Sequence, residues 1–244
     1  MNRYAGGMMH CAVRAMRTYS RTGRIMADLK EKKGIIFDLD GTLWDACAVM
    51  SKAWNDYMRE NEPELVAQGI ASTEEIMRKS CGKTMLQLAD ILLGRLDPEQ
   101  RYAISDACWD YVVGYIGRHG GEPFPRMKDS LHELKKSYQL FIVSNGQAGY
   151  IQDFMRLTGT EDLFTDTEDF GTTKLSKGQN IRLVIERNAL DSAVYVGDTR
   201  MDLEAAQEAG IPFVHAAYGF GEVPEAENSI SGLDQLKAVA DGLL

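Results

Sequence analysis

Gly34-Ile35-Ile36-Phe37-Asp38-Leu39-Asp40-Gly41-Thr42-Leu43-Trp44-Asp45 is the stretch on which the reading of this chain turns. Gly34 to Phe37 is apolar without alternation, the pattern of a strand buried on both faces in a parallel sheet. Two carboxylates, one residue apart, then close the strand. Ligands of open parallel sheets bind beyond the carboxyl ends of the strands, which is where Asp38 falls. Gly41 lets the chain turn at once. Asp38 and Asp40 thus share a strand end with different neighbours, an arrangement suited to two roles. An ordinary Asp-Gly turn has the same local sequence, so the rest of the chain must decide.

Downstream, residues 47–121 show helical spacing and no strand-like alternation. Val49, Ala53, Trp54 and Tyr57 mark one helix. Ser72-Thr73-Glu74-Glu75 has the form of a helix start. Met85–Leu96 and Pro98–Ile116 continue the pattern, and Gly117, Gly120, Gly121, Pro123 and Pro125 form a linker. Strands and helices then alternate. Met127–Tyr138 is helical. Leu140–Val143 is a buried strand ending in Ser144-Asn145-Gly146, and a helix follows at Tyr150–Leu157. Leu163-Phe164 starts a third strand, and Gly171–Gly178 is a loop leading into a helix at Asn180–Arg187. Ala193–Val196 is a strand ending in Gly197-Asp198-Thr199, followed by a helix at Asp202–Ala209 and a strand at Ile211–Ala216. Tyr218-Gly219-Phe220-Gly221 reads as a flexible loop, and a helix over 233–244 closes the chain. The alternation predicts an α/β fold with a doubly wound parallel sheet.

The expected organisation is an N-terminal extension (1–27), an α/β core (28–46 and 122–244) and an inserted all-helical segment (47–121). Residues 1–27 hold five arginines and no Asp, Glu or Lys, so the remainder carries −14 of a total −9. Such a leader reads as a tail without catalytic role, with organelle targeting or an upstream start before Met26 as alternatives. The acidic balance disfavours a nucleic-acid partner, and no apolar run is long enough to span a membrane. The four cysteines (Cys11, Cys47, Cys81 and Cys108) form no C-x-x-C pair. That spacing implies reduced thiols and a cytoplasmic protein. Cys47 and Cys81 show no activating partner in the sequence and read as inert.

Three strand ends carry polar clusters: Asp38/Asp40, Ser144/Asn145 and Asp198/Asp202. Lys177 lies between the second and third. In this order the clusters resemble the four motifs of the haloacid dehalogenase-like superfamily, and the chain is most similar to its phosphoglycolate-phosphatase-like branch. The resemblance covers roughly residues 33–240, with generic helical similarity in the insert. It implies a Rossmann-like parallel sheet sandwiched by helices, an inserted all-helical cap that closes over the site, and Mg²⁺ as cofactor. It also implies hydrolysis of a small phosphorylated metabolite by a monomer or homodimer.

Residue by residue, the resemblance makes Asp38 the nucleophile that becomes an aspartyl phosphate. Asp40 becomes the proton donor and base. Asp38, Asp40 (through its carbonyl), Asp198 and Asp202 form the metal site. Ser144, Asn145, Thr42 and Lys177 hold the phosphate. Lys174 competes with Lys177, because the family usually has proline after that lysine and Gly178 stands here. Gly82 and Lys83, in a break between cap helices, are the cap's reach toward substrate. A phosphomutase of the beta-phosphoglucomutase kind and a non-catalytic phosphate-ligand sensor are the rival functions. The presence of Asp40 argues against dehalogenation, and no carboxylate is missing as a sensor would require.

Overall fold

The computed structural model describes residues 31–244, so the extension expected over 1–27 lies outside the described residues. The quoted stretch forms β1 (Lys33–Phe37) and runs through the Asp38–Leu43 turn into β2 (Trp44–Asp45). Five helices follow: α1 (Cys47–Asn61), α2 (Pro63–Ala67), α3 (Glu74–Ser80), α4 (Met85–Leu93) and α5 (Pro98–His119). The start predicted at Ser72–Glu75 is there, with Thr73 as N-cap accepting the Ile76 N–H at 3.1 Å. The chain returns through β3 (Glu122–Pro123), which pairs antiparallel with β2.

The second half alternates as expected. α6 (Met127–Lys135), β4 (Gln139–Ser144) and α7 (Tyr150–Thr158) come first. They are followed by β5 (Asp166–Asp169), a single turn α8 (Phe170–Thr173) and α9 (Lys177–Asn188). Then come β6 (Ser192–Gly197), α10 (Arg200–Ala209), β7 (Phe213–Ala216), β8 (Ser229–Ile230) and α11 (Leu236–Leu243). Six strands form one parallel sheet in the order β5-β4-β1-β6-β7-β8. Ile35 and Phe37 join Leu140, Ile142, Val194 and Val196 on one face; Ile36 joins Phe141, Val143 and Tyr195 on the other. α9 and α10 cover the second face with Ile181, Val184, Ala205 and Ala206; α6 and α11 cover the first with Leu131, Leu134, Leu236 and Ala240. Burying each such large side chain is worth about 1.5–3 kcal/mol, which makes the strand ends a firm platform. No helix among the described residues is long and apolar enough to cross a membrane.

Two local expectations fail. Leu163 belongs to a 3₁₀ turn (Glu161–Leu163), and the third strand is Asp166–Asp169, four polar residues. β5 is an edge strand paired on one side only. Arg187 caps it, donating to Asp166 Oδ2 at 2.8 Å, Glu168 Oε2 at 2.9 Å and the Thr167 carbonyl at 3.3 Å. Charge on an edge strand blocks further pairing, so apolar content could not reveal it. Nor is Gly171–Gly178 all loop. Phe170–Thr173 is a helical turn, and α9 begins at Lys177 because Ser176 caps it in a capping box with Gln179.

Candidate active site

The order β4-β1-β6 sets Ser144, Asp38 and Asp198 side by side at one edge, with β1 at the point where the winding reverses. Asp38 continues β1, its N–H bonded to the Val196 carbonyl at 2.8 Å. Lys177, the first residue of α9, reaches beneath this edge. Its Nζ donates to Asp38 Oδ1 at 2.8 Å and to Asp202 Oδ1 at 2.7 Å, with all three side chains buried. Lys174 ends α8 in a left-handed conformation, its amine over the Phe170 ring. Gly178 has a packing reason: a Cβ there would lie 2.6 Å from Glu208 Cβ. The departure from proline thus accompanies close packing of α9 on α10.

One oxygen each from Asp38, Asp198 and Asp202 lie within 4.8 Å of one another. Burial, then Asp202, pushes the Asp38 carboxyl up to about 6 against the pull of Lys177. Burial, then Asp202 and Asp38, pushes Asp198 well above the carboxylate range. Burial alone would lower the Lys177 ammonium, but Asp202 and Asp38 outweigh it and its pKa is raised. Three crowded carboxylates facing one ammonium fit an additional cation, and an all-oxygen donor set suits Mg²⁺. Asp198 is also aimed: the Phe220 N–H donates to Oδ2 at 2.8 Å and the Thr42 hydroxyl approaches Oδ1 at 3.5 Å. Asp202 differs from the other two. Its Oδ1 accepts Lys177 and, at 3.4 Å, the Tyr195 hydroxyl; Oδ2 accepts the Thr199 N–H at 3.0 Å and hydroxyl at 2.6 Å.

Asp40 stands apart from this cluster. Its Oδ1 accepts the Tyr150 hydroxyl at 2.6 Å. Burial pushes its carboxyl up to about 7, which the Tyr150 bond only partly offsets. The two acids of the strand end therefore have different partners, an ammonium for Asp38 and a phenol for Asp40.

A cavity of about 80 Å³ opens over these acids, between the sheet edge and α1, α3, α4 and α5. Of the predicted residues, Asp38, Asp40, Gly82, Lys83, Ser144 and Asn145 line it. Thr42, Lys177, Asp198 and Asp202 stand behind it. Thr42, expected against the phosphate, is fully buried and turned to Asp198. The 81–84 break does reach the site. Gly82, at φ +80°, accepts the Asn145 amide at 2.6 Å, and Gln147 donates to the Met85 sulfur at 2.7 Å. The Ser144 hydroxyl accepts the Gly146 N–H at 3.1 Å.

Sequence reasoning missed several residues here. Tyr150, Gln147, Thr199, Tyr195 and Phe220 orient the acids or the cap, and only Thr199, a hydroxyl three residues before Asp202, carried a readable capping signal. The loop at 218–221, read as flexible, is tied down through Phe220 and by the Tyr218 hydroxyl on the Thr42 carbonyl at 2.8 Å. Cys47 and Cys81 are not without partners: their sulfurs lie 3.5 Å apart. The contact does not activate Cys81, since the Cys47 bond and burial push its thiol well above its usual pKa.

A family profile described as haloacid dehalogenase-like hydrolase matches residues 35–216. Phosphoglycolate phosphatase of Yersinia pestis is 26% identical over 204 residues, covering 80% of this chain and 85% of that protein. Phosphoglycolate phosphatase of Vibrio vulnificus is 27% identical over 233 residues, covering 88% and 97%. The solved structure of a haloacid dehalogenase-like family hydrolase from Streptococcus pneumoniae superposes with a TM-score of 0.71 at 23% identity, covering 85% of this chain and 98% of that one.

Proposed function

The chain belongs to the haloacid dehalogenase-like hydrolases, and we propose that it is a Mg²⁺-dependent phosphatase acting on a small phosphate monoester through an aspartyl phosphate at Asp38. The division between the two acids carries this reading. Asp38 lies against Lys177, which lowers the charge that an incoming phosphate meets. Asp40, held by Tyr150 and titrating near 7, is suited to hold a proton at neutral pH.

An oxygen of Asp38 attacks phosphorus as the bond to the leaving oxygen breaks, and Asp40 gives that oxygen its proton. Asp40 then takes a proton from the water that attacks the phosphoryl group, releasing phosphate and restoring the Asp38 carboxylate. Ser144 and Asn145 hold phosphate oxygens, and Lys177 offsets charge on the transferring group. Asp38, Asp198 and the Asp40 carbonyl would hold Mg²⁺, which supplies charge neutralisation to the anionic pair. Asp202, which belongs to the same acidic cluster and accepts Lys177 Nζ at 2.7 Å, also acts as a positioning residue for Lys177. Departure of a halide needs no proton donor, so the poised acid at Asp40 favours monoester chemistry.

Substitution of each acid tests the reading. Asp38→Asn removes the nucleophile and is expected to abolish phosphoenzyme formation. Asp40→Asn removes only the donor and base, worth roughly 10²–10⁴-fold. Its loss should be larger for alkyl phosphates than for nitrophenyl phosphate, whose leaving group needs no proton. Equal losses across leaving groups would reject Asp40 as the donor. Free phosphate should appear without a bisphosphate activator; isomerisation without phosphate release would favour the mutase.

A further inference from the structure

We propose that the cap selects monoesters of short apolar alcohols and disfavours those whose leaving group carries a carboxylate, the kind named for the curated relatives. This rests on the phosphatase reading above. The cavity has two unlike walls. The sheet edge contributes Asp38, Asp40, Ser144, Asn145, Gln147 and Tyr150. The opposite wall contributes Met50 from α1, Met77 from α3, Met85 and Leu88 from α4, and Trp109 and Ile116 from α5. Four cap helices thus present the leaving group mainly with thioethers, aliphatic carbon and an indole, with Ser80 and Cys81 as the polar side chains at the end of α3.

A carboxylate in that wall would need a cation; Arg78 and Lys79 are held in ion pairs, and of the three nearby cap cations Lys83 alone lines the cavity. Arg78 is paired with Asp45 at 2.5 Å and Glu74 at 2.7 Å, and its guanidinium lies over the Phe220 ring. Lys79 is paired with Glu75 at 2.6 Å. Lys83 lines the cavity, but its amine lies 3.5 Å from the Lys79 carbonyl, back toward the end of α3. A leaving-group carboxylate would therefore lie against apolar atoms along most of that wall. Burying a charge against such atoms is costly. An alkyl chain meets no such penalty, and flexible methionines adapt to its shape.

Volume sets the length. A water occupies roughly 10–15 Å³ on the scale where this cavity measures about 80 Å³. That is room for a phosphoryl group and a few carbons. A methylene in an apolar pocket is worth roughly 10–200-fold in discrimination.

The test compares kcat/KM of the full-length enzyme with Mg²⁺ for n-propyl phosphate, glycerol 1-phosphate and 2-phosphoglycolate. Propyl phosphate is expected to exceed 2-phosphoglycolate at least 10-fold, mainly through KM, with glycerol 1-phosphate between them. Leu88→Arg, placing a cation in the wall, is expected to narrow or reverse that ratio; Met85→Lys does the same from the neighbouring turn if the first variant does not fold. If 2-phosphoglycolate equals or exceeds propyl phosphate in the wild type, the selectivity is overturned while the phosphatase reading stands. If no monoester is hydrolysed, nitrophenyl phosphate included, the phosphatase reading itself fails and takes this inference with it.

Discussion

Gly41 and Gly69 offer a matched pair for asking whether the site depends on close approach at Gly41. Both have left-handed backbones, φ +87° and +85°. Alanine at either position meets the same conformational penalty, roughly 1–2 kcal/mol. For a chain of this size each kcal/mol shifts Tm by roughly 2–4 °C. The surroundings differ. Around Gly69 a Cβ would meet nothing within 4 Å, whereas at Gly41 it would lie 2.6 Å from Asp198 Cγ and 2.7 Å from Oδ1. Relief to an ordinary contact requires Asp198 to move by close to 1 Å. It has little room, because Gly219 backs its Cβ and the Phe220 N–H holds Oδ2. A displacement of that size at a reacting centre costs roughly 10²-fold. Gly41→Ala adds an overpacking cost of about 1–3 kcal/mol and is thus expected to melt somewhat below Gly69→Ala. Only Gly41→Ala should lose about two orders of magnitude in kcat for nitrophenyl phosphate and need more Mg²⁺ for half-maximal rate. Equal activities in the two variants would refute the idea that this turn sets the position of Asp198.

Three further outcomes follow from the buried charges. Lys177→Met leaves Asp38 and Asp202 without their cation, and breaking a buried pair costs about 3–5 kcal/mol; melts in EDTA at pH 7.5 should show that loss, and acidification, by protonating the acids, should recover part of it. In chelated wild type, Asp38 titrates near 6 and Asp40 near 7, both above their ordinary 3.8. The folded chain therefore binds more protons than the unfolded one between about pH 4 and pH 7, so Tm should fall as pH rises through that window; a Tm that climbs there contradicts the assignment. Tyr150→Phe removes the hydrogen bond that holds Asp40 down. A bond to a charged group is worth about 1.5–3 kcal/mol and a pKa unit 1.36, so the alkaline limb of the rate profile should move up by about one to two pH units, and an unmoved limb would separate that limb from Asp40.

Strand-end chemistry was the most legible part of this molecule, for a physical reason. A strand buried on both faces must be apolar throughout, so the first carboxylate after it marks both the end of the strand and the edge of the sheet. Asp38, Ser144 and Asp198 could be placed that way without coordinates. Lys177 was harder to choose over Lys174, because the deciding contacts lie 139 and 25 residues away in the chain. β5 was misread because an edge strand obeys edge rules, and its Asp-Thr-Glu-Asp satisfies them with an arginine from α9. Tyr150 could not have been assigned to Asp40 from sequence. Its place in the first turn of α7 marks it as helical, and only the packing of α7 against the strand end brings its hydroxyl to a carboxylate 110 residues earlier.

The two-stranded ribbon of Trp44-Asp45 and Glu122-Pro123 joins the start of the inserted helical segment to its end. Both crossings between core and cap pass through it, with Trp44 opposite Pro123 and Asp45 opposite Glu122. A Cβ on Gly121 would lie 2.8 Å from the Asp45 carbonyl and 3.0 Å from Ala46 Cβ, so exit and re-entry are in contact. From the side of the sheet, everything between them is a closed loop whose ends are already joined, and the entropy of closing such a loop grows only slowly with its length. A different helical bundle grafted at this splice would keep the joined ends but would have to replace the partners that the present helices give Asn145, Gln147 and Phe220. Recognition of the substrate and the setting of the acids are therefore linked through the same helices.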